Sequence, residues 1–116
     1  MKSLASITDN DIETIKMALN DSISDMTSEL KHELSPEQKN TLINYKDKYS
    51  RVFDKLKTSG SMYALTETDL DTVAGGLNDA IELIEDNLTD DLSEEDHEEI
   101  LGYKNDCQRL VDLLAS

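Results

Sequence analysis

Residues 35–56 read SPEQKNTLINYKDKYSRVFDKL, and residues 93–114 read SEEDHEEILGYKNDCQRLVDLL. The first segment opens with an unambiguous helix start. Ser35 offers a side-chain oxygen to the free N–H groups of a first turn, Pro36 sits where no N–H is needed, and Gln38 stands three residues after the cap. Leu42, Tyr45, Tyr49, Val52 and Leu56 then recur at three-four spacing, the seam of one helix packed on another. The second segment repeats the plan 58 residues later, with Ser93 as cap and Ile100, Tyr103, Cys107, Leu110 and Leu114 as seam.

The same offset holds upstream. Thr8, Asp11, Leu19, Asn20, Asp21 and Ile23 recur as Thr66, Asp69, Leu77, Asn78, Asp79 and Ile81. Thr8 with Asp11, and Thr66 with Asp69, read as variant capping boxes. Behind them run the stripes Ile12, Ile15, Leu19, Ile23, Met26, Leu30 and Leu70, Val73, Leu77, Ile81, Ile84, Leu88. The chain therefore reads as one helical hairpin written twice, over 7–57 and 66–115, joined by a linker at 58–65 that reverses at Gly60. Four helices of about twenty residues predict an all-α fold, an antiparallel four-helix bundle in one domain spanning residues 1–116. A monomer and a hairpin-paired homodimer both satisfy the pattern.

Charge is unevenly placed within a net −15. Residues 1–58 carry nine Lys/Arg against ten Asp/Glu, whereas residues 59–116 carry two against sixteen. The stretch Glu82–Glu99, ELIEDNLTDDLSEEDHEE, holds ten carboxylates and no lysine or arginine. Such a field repels nucleic acid and anionic membrane and attracts basic surfaces, so a basic protein is the expected partner. The first hairpin manages without that charge, which makes a binding role for the acidic end a better account than solubility alone. One cysteine excludes an internal disulfide framework and suits a reducing compartment. With no apolar leader and no run near the roughly 18 residues of a spanning segment, the expected setting is cytoplasmic.

Catalytic chemistry is not expected. His97 and Cys107 share a helix ten residues apart, about 15 Å along its axis, so they do not pair. A calcium loop needs Gly at its sixth position and Glu at its twelfth. Counting from Asp9 puts Thr14 and Asn20 there, and counting from Glu67 puts Thr72 and Asn78 there. Asp90, Asp91, Glu94 and Glu95 at the turn into the last helix read as a solvated acidic turn, favoured also by the helix dipole. Neither metal nor cofactor is expected.

The third helix carries the most specific signal. On a helical wheel Asp79, Glu82 and Asp86 fall on its flank and outer face, and Leu83, Gly75 and Gly76 also turn away from the seam. Two mid-helix glycines each cost roughly 1 kcal/mol relative to alanine. Close approach of a partner would explain them, with Leu83 as an apolar anchor among acids, and replacing either glycine by alanine should then stabilise the free chain. The expected partner-binding set is Gly75, Gly76, Asp79, Glu82, Leu83, Asp86, Asp90, Asp91, Glu94 and Glu95. The function this points to is a small acidic inhibitor: a nucleic-acid mimic, immunity protein or antitoxin-like neutraliser of a nucleic-acid-acting protein. The alternative is a structural adaptor or chaperone-like bundle that assembles through apolar patches, with Phe53, Met62, Tyr63 and Leu113 as candidates.

Overall fold

Each predicted cap starts a helix. A computed structural model describes residues 4–88 and 91–115, and of Asn87 the backbone alone. It contains α1 (Asp9–Glu29), α2 (Pro36–Ser59), α3 (Glu67–Asn87) and α4 (Glu94–Ala115), with short 3-10 turns at Leu4–Ser6 and Met62–Ala64. Thr8, Ser35 and Thr66 close reciprocal capping boxes with Asp11, Gln38 and Asp69. Ser93 accepts from the Asp96 amide. The starts of α1 and α3, and of α2 and α4, are each separated by the sequence offset of 58.

α2 ends on Gly60, whose φ of 64° is the left-handed conformation that terminates helices at little cost only for glycine. α2 thus runs through residues assigned to the linker, up to Ser59. Two residues of the remaining linker also join the core, because Met62 is only 2 % exposed and Leu65 is buried as well. Met62 is therefore not available as an apolar docking residue, and Phe53 and Leu113 pack against the core too. Only Tyr63 of that set is openly exposed, at 70 %.

The bundle is not square in cross-section. α1 and α3 are the central pair and each touches every other helix, whereas α2 and α4 occupy opposite edges with at most marginal contact between them. Cross-helix bonds fix directions. Tyr49 and Lys55 of α2 bond Asp79 and Asp69 of α3, and Tyr103 and Arg109 of α4 bond Asp21 and Asp11 of α1, so both pairs run antiparallel. α1 and α3 consequently run parallel, Leu19 lying over Gly76. The extents of 43 × 38 × 24 Å fit a rhombic section whose short diagonal joins α1 and α3; two helix diameters of about 10–12 Å fill it.

What permits that short diagonal is residue size. Ala18 and Ser22 on α1, and Gly76 and Ala80 on α3, are small, four apart and buried. A Cβ on Gly76 would stand 2.8 Å from Leu19 Cδ2 and 3.9 Å from its Cα. A Cβ on Gly75 would stand 3.1 Å from the Tyr49 hydroxyl. The expectation that these glycines face outward toward a partner is therefore corrected. They receive side chains of their own chain, with Gly76 buried and Gly75 half-buried. Tyr45 departs from expectation in the other direction: predicted as core, it is 50 % exposed. Tyr49, one turn further on, takes the buried place and reaches the α3 carboxylate.

Candidate functional site

Because α1 and α3 meet along a small-residue seam, a furrow is left on each side where the edge helices lean in. The furrow between α1, α2 and α3 is a cleft of about 540 Å³. Its α3 wall carries Asp79, Glu82, Leu83 and Asp86, its α1 side Ser22, Asp25 and Met26, and its α2 wall Leu42, Tyr45 and Tyr49. The furrow between α1, α3 and α4 is bordered by Asp21, Ser24, Asp25 and Ser28, by Ala80, Leu83 and Ile84, and by Ile100 and Tyr103. Most positions of one correspond to positions of the other at the offset of 58. Ser22 stands against Ala80, Leu42 against Ile100, Tyr45 against Tyr103, Glu82 against Ser24 and Asp86 against Ser28.

That correspondence isolates what differs. The α2-side cleft has four carboxylates, Asp25, Asp79, Glu82 and Asp86, and no lysine or arginine lines it. The α4-side furrow has two, Asp21 and Asp25. Among the described residues no base pairs with Asp25, Glu82 or Asp86, whereas the neighbouring Glu85 faces the other way and holds Lys104 at 3.1 Å. Asp79 is oriented by the Tyr49 hydroxyl, which donates to its Oδ2 at 2.9 Å. Burial, and then the Asp79 carboxylate, raise the Tyr49 pKa well above the usual phenol value, so Tyr49 stays a neutral donor.

Ser22 is the one buried side-chain polar group among the described residues with no hydrogen-bond partner, and it is 3 % exposed. Other hydroxyls in the helices behave differently. Thr14, Thr27, Thr41 and Thr72 each donate to the carbonyl four residues back.

Of the expected partner-binding residues, the structure gathers Asp79, Glu82, Leu83 and Asp86 at the cleft and places Gly75 beneath its Tyr49 wall. It does not bring Asp91, Glu94 or Glu95 there. These are exposed at the turn into α4. Asp90 lies outside the described residues. Sequence reasoning missed Ser22, Asp25 and Tyr45; the available signal was a serine at an α1 position matched by a buried alanine in α3. No group of described His, Cys, Asp and Glu residues is arranged to hold a metal ion. No described helix is long and apolar enough to cross a membrane.

Cys107 is fully buried. Burial pushes its thiol pKa up to about 11, although the Tyr103 hydroxyl draws it the other way. The thiolate, the reactive form, is thus scarce at neutral pH. Native protein at pH 7 is expected to resist alkylation by iodoacetamide for hours while urea-unfolded protein reacts within minutes, as followed by mass spectrometry. Rapid native labelling would show that α4 opens readily. Compared with family models, curated proteins and solved structures, the chain matches none.

Proposed function

We propose that this protein is a stoichiometric binding protein whose acidic second half docks on a basic protein surface. The reading is that of a nucleic-acid mimic, immunity protein or antitoxin-like inhibitor: its carboxylates occupy a Lys/Arg groove that would otherwise hold phosphates. The observation that carries it is the gathering of Asp79, Glu82 and Asp86 opposite Asp25 around one cleft with no lining base. A net charge of −15 strains the free molecule by self-repulsion, which a basic partner relieves. Complementary fields also speed encounter and make association salt-dependent.

The apolar-assembly alternative is less well supported, because three of its four candidate residues are drawn into or against the core. The test is an affinity pull-down at low and high salt with mass identification, followed by titration of the purified partner. A basic partner held at low salt and released near roughly 0.5 M, where the screening length falls to about 4 Å, is the expected result. A partner held equally at both salts, or one that is itself acidic, sinks the proposal.

A further inference from the structure

The α2-side cleft differs from its counterpart across the α1–α3 seam in more than charge. It combines a wall of carboxylates with, at its base, a buried hydroxyl on Ser22 that has no partner; the half-exposed Tyr45 ring at its rim is already covered by the Lys48 ammonium, 5.6 Å from the ring centre. A serine buried without a hydrogen bond destabilises a fold, and the matching position in α3 is filled by Ala80, so packing at this level of the seam does not demand a hydroxyl. Ser22 is among the residues that line the cleft, and its covered hydroxyl is the unpartnered polar group there.

The carboxylates constrain what kind of cation fits. They are not arranged to close on a metal ion. They stand around an open cleft of about 540 Å³, which has ample room for an organic group larger than a bare ion. A long organic cation satisfies every wall at once. Met26 and Leu42 offer apolar surface for its alkyl stem, and Asp79, Glu82 and the Ser22 hydroxyl offer acceptors for the N–H groups of its head. Two or more charged acceptors around one head favour the planar, multi-donor guanidinium over ammonium.

We infer that this cleft is the receptor for a single arginine side chain of the basic partner, inserted between α2 and α3 and read by Ser22 at its base. The inference rests on the charge-docking reading above and narrows it to one anchor residue. The rest of the acidic surface then supplies the long-range field, and the cleft supplies the choice of partner.

The experiment titrates ¹⁵N-labelled protein with a short arginine peptide and with the same peptide in lysine, with spermidine as a third arm. Four forms of the chain are compared: wild type, Ser22→Ala, the pair Glu82→Gln with Asp86→Gln, and the pair Glu94→Gln with Glu95→Gln. The last pair removes as much charge as the third from the exposed turn. Expected are amide shifts centred on Ser22, Asp25, Tyr45 and Asp79, and arginine bound at least fivefold tighter than lysine. Dissociation constants should rise about tenfold for the cleft pair, threefold for Ser22→Ala and less than twofold for the turn pair. Ser22→Ala is also expected to raise the thermal midpoint, which separates a binding role for the hydroxyl from a structural one.

Equal weakening by the two double variants would leave charge docking standing and overturn the cleft. Spermidine binding there more tightly than either peptide would overturn the side-chain occupant. Absence of any binding at low salt would overturn the charge-docking reading itself.

Discussion

Gly76→Val lowers the free energy of unfolding by about 3 kcal/mol. Gly76→Ala lowers it by about 1 kcal/mol, where an ordinary helix interior would gain about that much. The difference lies in Leu19. Alanine relieves the backbone-entropy cost of glycine, but its Cβ arrives 2.8 Å from the Leu19 methyl, and Leu19 is wholly enclosed. Overpacking a closed site costs about 1–3 kcal/mol, which outweighs the propensity gain. Gly102 is the internal control. It lies in α4 with nothing within 4 Å of its added Cβ, so Gly102→Ala should raise stability by up to about 1 kcal/mol. Urea midpoints at constant slope decide the matter. If Gly76→Ala stabilises as much as Gly102→Ala, the α1–α3 seam is looser than described.

Arg109→Met is expected to cost about 1–2 kcal/mol at pH 7 and close to nothing at pH 2. Arg109 reaches from α4 to Asp11, the capping carboxylate of α1, with contacts of 2.6 and 3.5 Å. Asp11 is 7 % exposed and also accepts the Thr8 amide, so without Arg109 it keeps its charge with half its partners gone. The Arg109 hydrogen bonds, opposed by burial and helped by the Thr8 amide, hold the Asp11 pKa below the usual carboxylate value. A group depressed in the folded state adds stability that is present above its unfolded pKa of about 3.9 and vanishes as pH falls through the folded one. The wild-type advantage over Arg109→Met should therefore shrink below about pH 4.

Asp69 contributes in the same sense. Burial raises its pKa, but the Lys55 ammonium and the Thr66 amide outweigh that and leave it lowered. Comparing the two proteins at each pH removes the general relief of self-repulsion as carboxylates protonate. A difference unchanged from pH 7 to pH 2 would mean that Arg109 acts through the packing of its stem.

Helices and caps were legible because they are local. Thr8, Ser35, Thr66 and Ser93 announce starts with hydroxyls at fixed distances from their partners, and the apolar stripes carry a 3.6-residue period whatever the tertiary context. The seam was hidden because it is written in small residues. Ala18, Ser22, Gly76 and Ala80 add little to a hydrophobic stripe, and a glycine on a wheel looks the same facing solvent or facing Leu19. The burial of Met62 and Leu65 was missed for a related reason: a Gly/Ser-rich connector reads as surface, yet two of its side chains find the core. As for the site, the α3 acids were visible as a face, but a cleft needs walls from three helices. Asp25 and Tyr45 join it only because α1 packs on α3 with α2 at the edge beside both.

The two edge helices hardly touch, and this bears on the order of assembly. Each hairpin joins neighbours in sequence, so its contacts close short loops at small entropic cost. Contact between α1 and α3 joins segments some 58 residues apart and is rewarded only when small side chains interlock at close range. Two hairpins can thus zip independently and early, while the single docking event that unites them comes last. Until that moment neither furrow exists, so a chain caught between the two stages would carry all its negative charge and none of its shape.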